Sequence, residues 1–328
     1  MIDAAVIGLG LAGFRFELDP LRSGVWSHAA AYSAADGVRL VAAVDMDSDK
    51  RRDFSERYPD VAVYASVADM LAAQRVDLAA VCVPTPHHAA VVRELVGRVR
   101  GVFCEKPMGS SLAEAREIVS LCREKGAVLA VNFVRRWESA WLAARQAIRD
   151  GAVGEVRTIT GRYPGELYNI GTHLIDIMGF LAGRVRSVAG IVTHHEGERE
   201  PSGSALVVYE SGATGTITTH GIRRNALFEV EIIGSEGRIQ ILENGRRTAC
   251  YRYAPSVNYS GYNEMVPAGE LACAAFGGDR MMRAVADVVA CLNDPSRLPS
   301  CSGDDALHAQ EVVNAIIRSN KEQTFVGC

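Results

Sequence analysis

Two short motifs close apolar runs in this chain. Glu105-Lys106-Pro107 follows Val102-Phe103-Cys104, and Gly8-Leu9-Gly10-Leu11-Ala12-Gly13 follows Ala4-Ala5-Val6-Ile7. The G-x-G-x-x-G spacing suits a pyrophosphate. Its first glycine permits a tight turn, its second lets the backbone approach the anion, and its third lets a helix pack close to the strand. Lys106 is a cation able to donate a hydrogen bond to an oxygen becoming a carbonyl, and Pro107 biases it toward extended backbone, which fixes its direction. A third segment, Asn169-Ile170-Gly171-Thr172-His173, supplies an imidazole, which titrates near neutral pH without extreme tuning. Taken singly, each motif has an ordinary reading. Glycine turns follow many strands, a lysine beside a glutamate is usually a solvated pair, and a histidine in a helix's first turn is more often structural.

The elements that must position these residues follow from the pattern around them. Val38–Val44 reads as a second buried strand ending at Asp45-Met46. A carboxylate there can accept both ribose hydroxyls of NAD and would repel a 2′-phosphate, so NAD is favoured over NADP. Two alternatives stay open: Asp45 as a helix N-cap, and NADP held by Arg51 or Arg52. The gap from Gly13 to Asp45 exceeds the usual spacing of roughly 20 residues. The excess lies in residues 14–27, with Pro20 and Gly24, an insertion ahead of a helix starting near His28 that is expected over the cofactor or at the rim of the substrate cleft. A fourth strand, Val76–Val83, ends in Pro84-Thr85-Pro86-His87-His88, a loop at the crevice where cofactors bind in open α/β sheets.

Strand-like runs near 3–7, 38–44, 61–64, 76–83, 101–104 and 128–133 alternate with helical patterns such as 66–74 and 111–125, which implies parallel strands joined by helices. Beyond residue 150 the pattern changes to strands at 156–163, 187–193, 205–210, 214–220, 227–233 and 238–242, separated by turns such as Glu210-Ser211-Gly212. These spacings suit a mainly antiparallel sheet, and helical patterns return at 279–293 and 304–320. The expected fold is α/β: a doubly wound Rossmann domain over 1–125, then an α+β substrate and assembly domain over 126–328 whose last helix packs back on the first.

Composition narrows the function classes. The chain has 328 residues, 48% of them hydrophobic, enough for two domains with a substantial core. A net charge of −4 leaves no nucleic-acid footprint, and no apolar run approaches the roughly 20 residues that cross a bilayer. The N-terminus enters a strand without signal-peptide order, so a cytoplasmic protein is expected. Eight cysteines show no C-x-x-C and no metal-ligand spacing with histidine; reduced thiols and no metal are expected.

As an ensemble, these motifs resemble the Gfo/Idh/MocA family, named for glucose-fructose oxidoreductase and inositol dehydrogenase. The resemblance covers nearly the whole chain and rests on Gly8–Gly13, Pro84–His88, Glu105-Lys106-Pro107, Asn132–Trp137, Gly171–Asp176 and the closing 302–319 helix. It implies a Rossmann domain, an open-faced sheet domain that forms homodimers or homotetramers, and reversible hydride transfer between a nicotinamide and a secondary alcohol of a sugar, glycoside or cyclitol. On that pattern Lys106, His173 and Asn169 are catalytic. Gly8, Leu9, Gly10, Leu11, Ala12, Gly13, Asp45, Met46, Pro84, Thr85, His88, Glu105, Lys106 and Asn132 hold NAD. Substrate is met by Lys106, Arg135, Arg136, Trp137, Tyr168, Asn169 and His173, although Arg135, Arg136 and Trp137 read equally well as interdomain packing. Arg162, Glu166, His220 and Tyr262 are further candidates.

Many family members carry Asp where this chain has Asn169, which removes a carboxylate support for the histidine. The Asn-Ile-Gly-x-His form is similar to that of members acting at C3 of sugar nucleotides. A short 163–169 stretch suggests an open pocket suited to a glycoside, and the slight acidity is compatible with a cationic, aminoglycoside-type sugar of secondary metabolism. Arg135, Arg136, Arg223 and Arg224 keep nucleotide sugars in play. An NADPH-dependent ketosugar reductase and a non-catalytic nicotinamide-binding sensor are the other classes.

Overall fold

The computed structural model describes residues 1–194, 200–222, 225–274 and 278–328. It divides into two compact units, Met1–Trp137 with Gly277–Leu307, and Glu138–Phe276 with His308–Cys328.

The first unit carries a six-stranded parallel sheet of β1 (Ile2–Ile7), β2 (Val38–Val44), β3 (Ala62–Tyr64), β4 (Leu78–Val81), β5 (Gly101–Cys104) and β6 (Val128–Val131), in the order β3-β2-β1-β4-β5-β6. The order reverses between β1 and β4, the switch point at which open α/β sheets bind ligands beyond the strands' carboxyl ends. Every residue of β4 and β5 is buried, as expected of strands covered on both faces. Connecting helices are α1 (His28–Ala34), α2 (Ser48–Arg57), α3 (Val67–Ala73), α4 (His88–Leu95) and α5 (Leu112–Glu124). Ser27, Asp47, Ser66 and Ser111 cap four of them by accepting backbone N–H groups.

The insertion is spliced into a helix. Ala12 and Gly13 carbonyls accept from His28 N at 2.9 Å and Ala29 N at 3.0 Å, so α1 continues the turn begun by the glycine motif while residues 14–27 loop out. The loop is anchored on α2. Glu17 accepts from Tyr58 Oη at 2.8 Å and Ser27 Oγ at 3.1 Å, and Phe14 packs edge-on against Phe54. Burial raises the Glu17 carboxyl above its ordinary range despite those hydrogen bonds. Arg22 lies over the rings of Phe16 and Trp26, and Arg280 over Trp26.

The second unit is built on a nine-stranded sheet of β7 (Val156–Tyr163), β8 (Val185–Thr193), β9 (Ser202–Tyr209), β10 (Thr214–Thr219), β11 (Glu229–Gly234), β12 (Gly237–Leu242), β13 (Arg247–Pro255), β14 (Asn263–Gly269) and β15 (Val326–Gly327). The order is β14-β13-β12-β11-β7-β10-β9-β8-β15, antiparallel except where β10 lies parallel to β7. In β11 and β12 buried residues alternate strictly with half-buried ones, the period of a sheet with one face in a core. Helices α6 (Ser139–Arg149) and α7 (Thr172–Ala182) belong to this unit. At Gly161 of β7 a Cβ would sit 2.6 Å from Met178 Sδ and 2.8 Å from a Leu174 methyl, so the missing side chain is what lets α7 press onto the sheet.

Two helices close the chain, α8 (Arg280–Asn293) in the first unit and α9 (Gly303–Glu322), which starts in the first unit and continues in the second. The first unit therefore extends past residue 125. The reason is β6, which pairs with β5 from Gly101↔Val128 to Cys104↔Val131 and is flanked in turn by Cys301, whose carbonyl accepts from Val131 N at 3.1 Å.

Candidate active site

Within the first unit the glycine turn meets the demands of a dinucleotide. Gly8 has φ +97°, and a Cβ there would lie 2.6 Å from the Cys82 and Val83 backbone of the neighbouring β4 end. A Cβ on Gly13 would lie 1.9 Å from the Gly8 carbonyl oxygen. At Gly10 a Cβ would meet nothing within 4 Å. That glycine faces open space, which is the cradle a pyrophosphate needs, and the flanking Leu11 and Met46 are exposed.

Asp45 sits at the carboxyl end of β2, only 9% exposed. Its Oδ2 accepts from Leu9 N at 2.8 Å and its Oδ1 from Asp47 N at 3.0 Å, so the carboxylate braces the glycine turn it would share with a ribose. The helix cap is Asp47, which accepts from Asp49 N and Lys50 N. Arg51 is turned onto the main chain, donating to the carbonyls of Asp45 at 2.8 Å and Met46 at 2.9 Å.

Pro84 and Thr85 lead a short 3-10 turn into α4. His88 is buried there. Its Nε2 lies 2.8 Å from the Val83 carbonyl and its Nδ1 3.2 Å from the Met108 carbonyl. It thus ties the loop after β4 to the loop after β5 rather than facing a ligand. Burial pushes its imidazole below the ordinary range, outweighing those two carbonyls.

The end of β5 is held from three sides. Glu105 N donates to Val81 O at 2.9 Å, and Asn132 N, just past β6, donates to Cys104 O at 2.8 Å. The Glu105 side chain, 14% exposed, accepts at Oε1 from Asn132 Nδ2 at 2.6 Å and lies 2.9 Å from Nε2 of His28. Burial works to raise the Glu105 carboxyl, but the His28 contact, the Asn132 hydrogen bond and the Lys106 charge outweigh it and hold it below the ordinary range. Lys106 follows directly, half-buried, with a cis peptide to Pro107. One network therefore joins the helix grown from the glycine turn to the Glu105-Lys106 motif and to Asn132.

Of the next candidates, two are packing residues. Arg136 is 5% exposed, donates to Ser300 O at 2.6 Å and pairs with Asp305 at 3.3 Å, and Trp137 donates from Nε1 to Asp287 at 3.2 Å while its ring meets Phe103 edge-on. Burial favours the neutral Asp305, yet the Arg136 charge and the Ser302 hydrogen bonds hold its carboxyl below the usual range. Arg135 is half-buried.

The second unit positions the histidine motif by itself. Leu167–Gly171 forms a π-type turn, a form often found at functional sites, and α7 starts at Thr172, with His173 in its first turn and 9% exposed. Asp176 lies one turn on and is buried. Asn169 Nδ2 donates to Glu166 at 3.0 Å, while the amides of Tyr168 and Asn169 both donate to one Glu200 oxygen, at 2.6 and 3.1 Å. Burial, then the Glu200 charge, raises the half-buried Tyr168 phenol. Arg162 pairs with Glu229 at 3.9 Å, His220 is half-buried, and Tyr262 is exposed on the β13–β14 hairpin. Arg223 and Arg224 lie outside the described residues. His28 and Glu200 carry no recognisable motif in the sequence; only the pairing of distant segments singles them out.

All eight cysteines are free thiols, and burial raises those of Cys82, Cys104 and Cys122, the last to about 12. Among the described residues no group of three or more His, Cys, Asp or Glu side chains fits a metal ion, and no helix is long and apolar enough to cross a membrane.

Residues 2–133 match the model described as the oxidoreductase family with an NAD-binding Rossmann fold, and residues 162–240 match the GFO/IDH/MocA C-terminal domain. The chain belongs to the Gfo/Idh/MocA family. It is similar to D-apiose dehydrogenase of Paraburkholderia graminis, 27% identical over 90% of this chain and 84% of that one, and to myo-inositol 2-dehydrogenase of Thermotoga maritima, 26% identical over 67% and 72%. A solved NAD-binding oxidoreductase from Klebsiella pneumoniae superposes with a TM-score of 0.82 at 19% identity, covering 99% and 98% of the two chains, which shows the shared fold. Membership makes this chain an oxidoreductase acting on CH–OH groups with NAD as its nicotinamide cofactor. The glycine turn, the open space at Gly10 and the braced Asp45 fit that cofactor.

Proposed function

We propose that the chain oxidises a secondary hydroxyl of a sugar, glycoside or cyclitol to a ketone, with a ring carbon of a glycoside such as C3 as its target. The observation that carries this reading is the network of His28, Glu105 and Asn132, which ties Lys106 to the helix grown from the glycine turn. The names of the apiose and inositol dehydrogenase relatives support the substrate class.

In this mechanism His173 accepts the hydroxyl proton as general base. Lys106 donates a hydrogen bond to a substrate oxygen as it becomes a carbonyl, stabilising charge where it develops. Asn169, fixed by Glu166 through its side chain and by Glu200 through its amide, orients substrate hydroxyls without adding charge. NAD, when bound, supplies the hydride acceptor. Asp45 would accept from the adenosine ribose, and the open backbone at Gly10 would admit the pyrophosphate.

His173→Ala should lower kcat by about 10²–10⁴-fold and abolish the acid limb of the kcat pH profile, because the base that loses activity on protonation is gone. A variant that keeps the acid limb would transfer the base role to another group. The substrate class is tested by ranking kcat/KM over free sugars, cyclitols, sugar nucleotides and neutral or aminoglycoside-type glycosides with NAD and NADP. The open-pocket reading expects glycosides to lead and NAD to be preferred. A lead for sugar nucleotides would overturn it.

A further inference from the structure

His28 is fully buried, yet its ring nitrogen is directed at a side chain of the Glu105-Lys106 motif rather than at the main chain. We propose that His28 is a positioning residue for this site, holding the Glu105 carboxylate ionised and fixed in orientation beside Lys106. The inference rests on the role given to Lys106 above.

Three separate elements converge on one oxygen. His28 opens α1, Glu105 follows β5 and Asn132 follows β6; Glu105 Oε1 takes both donors, at 2.9 Å from His28 Nε2 and 2.6 Å from Asn132 Nδ2. An ionised carboxylate only accepts, so Nε2 carries the hydrogen. Nδ1 is buried with no hydrogen-bond partner among the described residues. Phe103 and Tyr32 flank the ring edge-on, with centroids at 4.8 and 6.2 Å. A backbone hydrogen bond from His28 N to Ala12 O fixes the residue to the glycine turn independently of its side chain. The side chain can therefore be changed without cutting that tie.

The other titratable groups that act on or feel Glu105 are Lys106 and Cys104 on its own segment, Cys82 after β4 and His88 of α4. Burial keeps both thiols protonated and disfavours charge on His88. His28 and Asn132 are left as the donors that favour the carboxylate, together with the Lys106 charge.

The test uses the full chain with 13C-carboxyl-labelled glutamate, the Glu105 signal being assigned by its loss in Glu105→Gln. In His28→Leu the Glu105 titration midpoint should move up, because burial persists while a donor is lost. His28→Gln, whose amide nitrogen reaches a similar position, should stay near the unsubstituted protein. His28→Phe replaces His28→Leu if that variant fails to fold, since the aromatic neighbours accept a ring. In kinetics, His28→Leu should lose about tenfold to a hundredfold in kcat with the NAD dissociation constant within about twofold, and His28→Gln should recover most of kcat. An unmoved Glu105 midpoint, equal shifts in the Leu and Gln variants, or NAD affinity falling in step with kcat would each overturn the assignment. If the unsubstituted protein turns over nothing, the dehydrogenase reading fails, while the Glu105 titration still decides the role of His28.

Discussion

Lys106→Ala should lower turnover by about 10²–10³-fold while NAD binding stays within a few-fold of the unsubstituted protein. The expectation separates two functions that lie close together in the first unit. The proposed NAD site is the glycine turn, with its open face at Gly10, and Asp45, none of which Lys106 supplies. In the proposed mechanism Lys106 acts on the substrate oxygen, and its hydrogen bond strengthens as the oxygen gains carbonyl character, so its removal should register in kcat more than in ground-state binding. Nicotinamide fluorescence titration alongside steady-state rates checks this. Equal losses in turnover and NAD affinity would place Lys106 in the cofactor site instead.

The second large effect is a contrast between two glycines. Gly13→Ala puts a methyl 1.9 Å from the Gly8 carbonyl oxygen, where only backbone movement relieves the clash. It should cost about 1–3 kcal/mol of stability and distort the turn, so melting temperature and NAD affinity fall together. Gly10→Ala meets nothing within 4 Å in the protein alone. Its melting temperature should stay near that of the parent, while NAD affinity falls by at least about tenfold, because the methyl enters the space a pyrophosphate approaches. Thermal melts with and without NAD separate the cases. A Gly10→Ala variant that binds NAD normally would mean the cradle lies elsewhere.

Much of the first unit was legible because its central strands are buried and largely apolar; β5 falls at the expected residues with every position buried, and β2 does so with one break, the exposed Arg39. The α1 start at His28 was legible for a similar reason, with Ser27 capping it. The hairpin of β13 and β14 escaped notice because the edge strand β14 buries no residue fully, its pattern is mixed, and Pro267 lies within it. β15, two residues long, is too short to carry a pattern.

Site residues divide along the same line. Gly8, Gly10, Gly13 and Asp45 announce themselves, since backbone shape and a strand-end carboxylate depend on local sequence. Arg136 and Trp137 have residue types equally suited to ligand and core, and only the partners Asp305, Ser300 and Asp287, brought in from far along the chain, give them a packing role. His28 is illegible for the same reason. Its partner Glu105 lies on another strand end, and no spacing rule connects them.

The decisive measurement is nicotinamide absorbance recorded for purified protein with NAD and the panel of cyclitols, free sugars, glycosides and sugar nucleotides, run beside Lys106→Ala. An NADH signal that grows with one carbohydrate class and is nearly lost in the variant is the expected result. Saturable NAD binding with no change in absorbance in either direction across the panel would contradict it and favour a nicotinamide-binding protein without dehydrogenase chemistry.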